Sequence, residues 1–223
     1  NKGEKVKIGP YEFTHPIIQA GMGVGITLSR MAIASYKNGV VPVVALVGTN
    51  YYLDEKIPNA KNFTSRASIF TIIKDIRDEV GDAPIFCNIM CALSDYENIV
   101  KNAIEAGFDG IICGAGFQAE LPGLINKYKS ENQEIAMIPI VNHKAFPLLM
   151  RTWKRKYGEV ILPDAVILEG PKSGGHQGYK EDEIEKPEFQ LEVTTLEVLD
   201  QIAKFKEFGD IPLFVAGGIM FKE

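Results

Sequence analysis

One histidine stands among glycines in the stretch 169–178, which reads EGPKSGGHQG. The stretch follows an apolar run at 165–168 that predicts a short buried strand. Glycine has no Cβ and can take positive φ, so the backbone amides of such a loop can approach a ligand closely. At neutral pH an imidazole has one donating and one accepting nitrogen, which suits proton abstraction from a bound substrate. The loop therefore predicts a ligand site in which His176 acts as a base.

Further glycine clusters follow other apolar runs. They occur at 21–25, where the sequence reads GMGVG, at 114–116, where it reads GAG, and at Gly217 and Gly218. Each cluster alone could serve only a tight turn, but their recurrence at the ends of apolar runs favours close approach to a ligand. Asn88, near the end of another such run, either bonds to neighbouring backbone or faces that ligand, and we favour the ligand.

The elements that would position these clusters alternate regularly along the chain. Apolar, often β-branched runs predict seven strands, at 16–20, 40–47, 85–89, 110–113, 136–141, 164–169 and 213–216. Segments with helical periodicity lie between them. Seven strands separated by helices indicate a parallel sheet, because each return to the same end of the sheet requires a crossover.

Capping residues and apolar stripes predict the helices. The first is capped by Thr27 or Ser29 and ends at Gly39, the next begins at Ser65 and ends at Gly81, and a third begins at a capping box formed by Ser94 and Glu97. Two more reach about residue 129 and residue 157. The last helix has its apolar stripe at Leu196, Leu199, Ile202 and Ala203.

Two closures of the sheet compete. An open doubly wound sheet would place its glycine-rich turn after the first strand only, whereas a closed barrel directs the end of every strand to one mouth. The recurring glycine clusters favour the TIM (β/α)8 barrel. Such a barrel typically needs about 250 residues, so the 223 residues predict a single barrel domain, 1–223, that lacks its last β/α units. A truncated barrel with an open edge is the alternative.

Composition excludes several classes of protein. Hydrophobic residues make up 46% of the chain, which supports one substantial core, and a net charge of −5 gives no basic surface for nucleic acid. No apolar run is long enough to span a membrane and no signal peptide precedes the first strand, so we expect a cytoplasmic protein that does not bind membranes. Three cysteines, Cys87, Cys91 and Cys113, lack paired spacing and are interpreted as buried thiols, not as a metal or redox site.

Five blocks together carry a family resemblance. PIIQAGMG, FCNIM, GAG, EGPKSGGHQG and FVAGGI, in this order, resemble the nitronate monooxygenase family, formerly called 2-nitropropane dioxygenases. In the same blocks the chain is similar to the FMN-dependent enoyl-acyl-carrier-protein reductases. The resemblance covers essentially the whole chain and implies a TIM barrel with FMN across its mouth.

The resemblance also implies roles for individual residues. His176 matches the catalytic histidine, and Gly217 with Gly218 matches the turn that binds the FMN phosphate. The remaining positions implied to contact FMN are Gly21, Met22, Gly23, Asn88, Glu169, Ser173, Gly174 and Gly175. Glu169 stands where many members have glutamine, and this is a departure because a carboxylate cannot donate a hydrogen bond.

Three functions follow as hypotheses. The preferred one is oxidation of a nitronate or nitroalkane by molecular oxygen with FMN. The second is NADH-dependent reduction of an enoyl thioester, and the third is a flavin- or phosphate-binding barrel without turnover. A small-molecule substrate is the expected partner, and a homodimer stays open because no residue pattern specifies an oligomeric state.

Other segments near the predicted mouth receive separate interpretations. His143, after the fifth strand, either touches the ligand or caps the next helix, and we favour the cap. His15 precedes the first strand and is expected at the opposite end of the barrel. The long segment 48–64, with Tyr51 and Tyr52, is expected to shape the substrate pocket. The acidic run at 181–188 follows the histidine loop, and we hypothesise that it moves over the site.

Overall fold

Six parallel strands, each hydrogen-bonded to the next in chain order, form the central sheet of the computed structural model. The structure describes residues 5–50, 64–176, 178–206 and 210–219, so Tyr51 and Tyr52 lie outside the described residues. A separate antiparallel hairpin precedes the sheet. The hairpin strands are β1 (Val6–Ile8) and β2 (Tyr11–Phe13), and the sheet contains β3 (Val43–Ala45), β4 (Phe86–Met90), β5 (Gly110–Gly114), β6 (Ala136–Val141), β7 (Val166–Glu169) and β8 (Leu213–Ala216).

The predicted first strand at 16–20 lies beside the sheet as a seventh parallel segment. Val41 N donates to Ile17 O at 2.9 Å, and Gln19 N donates to Val41 O at 3.1 Å. Only the pair Ile18 and Val41 forms a bridge, so this segment is shorter than a regular strand.

This topology is that of a (β/α) barrel wall. Each strand pairs in parallel with its successor, from Val43 beside Phe86 to Glu169 beside Ala216, so all six carboxyl ends point to the same side. Sequential parallel order is the barrel arrangement and differs from the reversed order of a doubly wound sheet. The prediction of a TIM-barrel-type α/β fold is confirmed.

Within the described ranges, six α-helices cover the outer face of the sheet. Their buried residues join those of the strands in one large cluster that includes Ile72, Ile104 and Trp153. Leu149 and Trp153, one turn apart on the fifth of these helices, are both fully buried. None of the helices among the described residues is long and apolar enough to cross a membrane. The helices are α1 (Ser29–Lys37), α2 (Arg66–Val80), α3 (Tyr96–Ala106), α4 (Leu121–Tyr128), α5 (Ala145–Tyr157) and α6 (Leu191–Ala203).

A second, smaller cluster fills the inner side of the sheet and is covered by the hairpin. Tyr11 and Phe13 pack edge-on against Phe86, with ring centroids 5.7 Å and 5.5 Å from it. Tyr11 Oη donates to Glu134 O at 2.7 Å. The residues at 6–13 therefore form a hairpin that closes the amino-terminal end of the barrel.

The helix caps confirm one prediction and correct two. Ser65 accepts from Ser68 N at 3.3 Å while Ser68 Oγ accepts from Ser65 N at 3.2 Å, so α2 begins at a reciprocal cap. The capping box at Ser94 is wrong: α3 has no side-chain cap, and the Glu97 carboxylate accepts from Lys127 and Tyr128 instead. Two residues of α4 thus bind the Glu97 carboxylate, which was predicted to cap α3.

The first helix is also not capped as predicted. Its N-cap is Leu28, with no side-chain hydrogen bond. Thr27 Oγ1 instead accepts from Met22 N at 2.9 Å and donates to Ala20 O at 3.2 Å. Thr27 therefore stabilises the glycine-rich turn. A threonine hydroxyl can bond to nearby backbone groups outside a helix, and here it bonds to the turn and not to the helix end.

The buried stripe of α6 differs from the prediction. Leu196 and Leu199 are 69% and 45% exposed, whereas Thr194 and Val198 are fully buried. Two apolar stripes with helical spacing share this helix, and periodicity alone does not decide which one faces the sheet. Leu191 lies against Gly170. This contact packs the start of α6 on the end of β7 and so determines which stripe is buried.

Candidate active site

The histidine loop begins directly at the end of β7. Gly170 N donates to Ala216 O at 2.9 Å, and Ser173 N donates to Gly170 O at 3.2 Å, so the loop is tied to the end of β8 and to itself. Gly175 has a φ of +86°, which L-residues rarely adopt. A Cβ placed on Gly174 or Gly175 would meet nothing within 4 Å. The loop thus presents bare backbone to an open space.

His176 faces a cavity of about 220 Å³ at the carboxyl ends of β5, β6 and β7. Its side chain is exposed. The same cavity is lined by Glu169 from β7 and by Asn142 from the loop after β6. The structure therefore brings together His176 and Glu169, two of the residues singled out from the sequence.

Glu169 has an unusual environment for a carboxylic acid. Its side chain is half-buried, and burial raises its pKa above the ordinary value. Burial disfavours the charged form, so the neutral acid persists to higher pH than in an exposed glutamate. A protonated carboxyl can donate a hydrogen bond, which a carboxylate cannot. Burial therefore widens the pH range in which Glu169 can donate a hydrogen bond.

Gln118 is a cavity residue that the sequence analysis missed. Its amide Nε2 donates to Ile140 O at 2.9 Å and to Cys113 O at 3.2 Å, which ties the end of β5 to β6. Trp153 Nε1 donates to Gln118 O at 3.0 Å. A glutamine two residues after the GAG turn was the available signal, because an amide directly after a strand end can satisfy two strands at once.

The loop after β6 holds the segment that follows His176. Asn142 Nδ2 donates to Gly178 O at 2.8 Å, and Asn142 Oδ1 accepts from Ala145 N at 2.8 Å. One amide therefore caps the start of α5 and anchors the histidine loop. Lys144 Nζ reaches the Glu183 carboxylate at 2.8 Å. The acidic run is thus attached to this loop, and its proposed movement over the site stays a prediction.

His143 is buried, unlike His176. Its Nδ1 lies 3.1 Å from Tyr179 Oη, and its ring packs against Tyr179 and Phe189 with centroids 5.8 Å and 5.4 Å away. Burial lowers the pKa of His143, so the neutral ring is favoured. The prediction that His143 caps the helix is wrong, because Asn142 Oδ1 is the side-chain atom that accepts from Lys144 N and Ala145 N at the start of α5. His143 instead supports Tyr179, which lines the cavity.

A second cavity, of about 230 Å³, lies between the histidine loop and the turn after β8. Its walls include Lys172, Gly217 and Gly218. A Cβ on Gly217 would lie 2.8 Å from Ser173 N, and one on Gly218 would lie 2.8 Å from Lys172 Cβ. Both glycines have positive φ, of +104° and +73°. The two predicted cofactor loops therefore touch, and only glycine permits the approach.

A further group of the predicted residues gathers at the opposite edge of the sheet. A Cβ on Gly21 would lie 2.5 Å from Asn88 Cβ, so the glycine-rich turn packs directly on this side chain. Asn88 Nδ2 lies 3.5 Å from Ile112 O, and Met22 is 39% exposed. Gly23 lies against Val47. Strands β5 and β6 separate Asn88 from Glu169 in the sheet, so the site residues form two groups at the same mouth.

Strained backbone marks the same end of the barrel. Val24, in the turn after the first segment, has a φ of +57°, and Ala115, in the cavity wall, has a φ of +50°. Neither residue type adopts such angles readily. His15, by contrast, is at the other end, where its N donates to Gly39 O at 3.0 Å. Its position agrees with a structural role.

The residues present fit an FMN. The turn at Gly217 and Gly218, beside the cation of Lys172, offers close backbone approach and positive charge to a phosphate. Gly174 and Gly175 leave open space where a Cβ would otherwise stand. Within the ranges that the structure describes, no cluster of three or more His, Cys, Asp or Glu residues could hold a metal ion.

The sequential parallel strands define a TIM-barrel-type fold, in which ligand sites lie at the carboxyl ends of the strands. The sequence model of the nitronate monooxygenase family matches residues 4–223. The chain therefore belongs to the nitronate monooxygenase family, a family of flavin-dependent oxidoreductases. A search of curated proteins gave no match.

Solved structures share the fold. FabK from Thermotoga maritima superposes with a TM-score of 0.62 at 21% identity, over 93% of this chain and 52% of that chain. A FabK point mutant gives a TM-score of 0.64, also at 21% identity, over 93% and 55%. A mutant tryptophan synthase α-subunit from Pyrococcus furiosus gives 0.51 at 13% identity, over 91% and 78%. The chain spans about half the length of the FabK chains.

Proposed function

We propose that this barrel binds FMN and oxidises nitronates or nitroalkanes with molecular oxygen, with His176 as the base. The observation that carries the proposal is the placement of His176 in one cavity with Glu169, on a loop whose Lys172 and Ser173 lie against the turn of Gly217 and Gly218. Membership of the nitronate monooxygenase family supports the choice of substrate class.

Two groups of residues would hold the cofactor. Lys172 and the turn of Gly217 and Gly218 would receive the phosphate, and Ser173, Gly174 and Gly175 would allow the backbone close to the ring. At the opposite edge, Gly21, Met22, Gly23 and Asn88 would bound the cofactor. When bound, FMN supplies the electron acceptor that no side chain of the protein can provide.

The chain's own residues would handle the proton. His176, exposed to the cavity, would take the α-proton of a nitroalkane. Burial raises the pKa of Glu169, and in its protonated form this side chain would donate a hydrogen bond to an acceptor atom of a bound cofactor. Tyr179 and Asn142 hold the segment after His176 and so limit the positions that the imidazole can take.

A nitronate carries no α-proton to remove, so the base and the oxidation can be separated. We expect the FMN-loaded protein to lose its long-wavelength flavin absorbance anaerobically with either a nitroalkane or its nitronate. His176→Ala should retain bleaching by the nitronate and lose most of the rate with the neutral nitroalkane, by about 10²-fold or more. His15→Ala, which removes an imidazole at the other end of the barrel, is the matched control and should bleach with both.

A second candidate is NADH-dependent reduction of an enoyl thioester. The resemblance of the same sequence blocks to the enoyl-acyl-carrier-protein reductases supports it, and so does the fold shared with FabK. Anaerobic bleaching by NADH, with none by a nitronate, would establish this function in place of the first. Absence of bleaching by either compound would leave a barrel that binds flavin without these reactions.

A further inference from the structure

Cys91 and Cys113 lie side by side at the ends of neighbouring strands. Cys113 is in β5, opposite Ile89 of β4, and Cys91 is the first residue after β4. Cys91 N donates to Gly114 O at 2.9 Å, which carries the parallel pairing one step beyond the strand. Alternate side chains of a strand share one face, so Cys91 lies on the face of Ile89 and is a diagonal neighbour of Cys113. Residues 22 positions apart in the sequence are thus neighbours on one face of the sheet.

The two thiols have unequal environments. Cys113 is fully buried, and its Sγ lies 3.4 Å from Tyr96 Oη of α3. Cys91 is only partly buried, with its Sγ 3.2 Å from Gly114 O. The hydrogen bond from Cys113 lowers the pKa of Cys91, and the same contact, with burial, raises the pKa of Cys113. Cys91 is therefore the accessible, more acidic thiol, and Cys113 is its protected neighbour.

We propose that Cys91 and Cys113 form a peroxide-sensitive thiol pair that closes to an internal disulfide. The Cys91 thiolate attacks one oxygen of hydrogen peroxide, which breaks the O–O bond, releases hydroxide and leaves a sulfenic acid on Cys91. The Cys113 sulfur then attacks Cys91 Sγ and displaces the sulfenic oxygen as water, with the thiol proton lost to it. The pair is oxidised by two electrons, and one peroxide is reduced to two waters.

The pair touches the wall of the histidine cavity. A Cβ on Gly116 would lie 2.9 Å from Cys91 Sγ, so this sulfur packs directly beneath the GAG turn. Ala115 and Gly116 of that turn line the cavity that contains His176. Movement of Cys91 Sγ toward Cys113 removes support from the turn. Oxidation should therefore change ligand binding at the mouth, although the disulfide itself does not depend on the proposed flavin chemistry.

Peptide mapping after oxidation tests the proposal. The native protein is treated with equimolar hydrogen peroxide, denatured in excess iodoacetamide and digested. We expect one peptide pair joined through Cys91 and Cys113, alkylated Cys87, and full recovery of three alkylated thiols after dithiothreitol. Cys87 is the internal control because it is fully buried on the same strand and burial raises its pKa. Three alkylated thiols, or a disulfide that includes Cys87, would overturn the proposal.

Variants identify the role of each thiol. C91S should abolish oxidation of Cys113, and C113S should leave Cys91 as a sulfenic acid that a dimedone probe captures. C87S should form the disulfide at the wild-type rate. In C113A, which removes the donor, the alkylation rate of Cys91 at neutral pH should fall by roughly tenfold for each unit by which its pKa rises. An unchanged alkylation rate in folded C113A, or persistent Cys113 oxidation in C91S, would contradict the assigned roles.

Discussion

His143 Nδ1 and Tyr179 Oη lie 3.1 Å apart, and this hydrogen bond joins the loop after β6 to the segment three residues beyond His176. The position of the exposed histidine thus depends on a buried one. The two imidazoles therefore have different roles. His176 faces the cavity, and His143 holds the segment that follows His176.

Removal of the hydroxyl of Tyr179 tests this support. Tyr179→Phe keeps the ring packing on His143 and loses one hydrogen bond, so the free energy of unfolding should fall by about 1 kcal/mol. Turnover should fall several-fold through kcat, since the His176 loop gains freedom. Tyr36→Phe, on the exposed side of α1, is the control and should change neither quantity. An unchanged kcat in Tyr179→Phe would show that the loop needs no such anchor.

The buried His143 should make the protein less stable in acid. Because burial lowers its folded-state pKa, the unfolded chain takes up the proton first as pH falls through about 6.5. The contribution of neutral His143 is therefore present above this pH and is lost below it. His143→Gln removes the titration, so the difference in unfolding free energy between the variant and wild type should change between pH 7 and pH 5. A pH-independent difference would contradict the burial effect.

Glu169 should have the opposite effect on the pH dependence of stability. Its folded-state pKa is raised, so the folded chain takes up the proton first and stability is lost as pH rises through the folded pKa. Glu169→Gln keeps the shape without the charge and should be more stable than wild type at pH 7, with the difference disappearing in acid. Glu131→Gln, exposed before β6, is the control. Equal melting temperatures of Glu169→Gln and wild type at pH 7 would refute the prediction.

The contact between the two cofactor loops can be tested with alanine. Gly217→Ala places a Cβ 2.8 Å from Ser173 N at a φ of +104°, so both strain and collision should displace the histidine loop. Gly158→Ala has a comparable φ of +77° but no neighbouring atom within 4 Å, and should show only the conformational cost of about 1 kcal/mol. We expect weaker FMN retention in Gly217→Ala alone, measured by flavin released on gel filtration. Equal retention in both variants would remove the loop contact from the site.

Much of the fold follows from local patterns in the sequence. Runs such as Phe86–Met90 and Val166–Glu169 are apolar because both faces of a parallel strand are covered, so their place and type were predictable. The hairpin at 6–13 was not, because its partner, Phe86, lies far along the chain. The buried face of α6 was also not predictable, since Val198 and Leu196 fit helical spacing equally well.

The positions of the loops around the candidate site could be predicted where the backbone alone determines them, and the roles of their residues stay predictions. Gly174, Gly217 and His176 lie in loops whose glycine content predicts close approach of the backbone to a ligand. Gln118, Asn142 and Tyr179 were not assigned to the site, because each acts through a partner that is distant in sequence, such as Gly178 for Asn142. The role of Thr27 was not predictable for a similar reason. Its hydroxyl can bond either to the helix end or to the glycine-rich turn, and the sequence alone does not distinguish the two.

The hairpin that closes the barrel also sets an order of assembly. Tyr11 bonds to Glu134, which is 123 residues further along the chain. At a synthesis rate of about 5–20 residues per second, Glu134 is synthesised roughly 6–25 s after the aromatic residues of the hairpin. During that interval Tyr11 and Phe13 have no barrel to cover, so the nascent chain exposes apolar surface to chaperones. Contacts of such long sequence separation also slow folding, and closure of this end is expected among the late events.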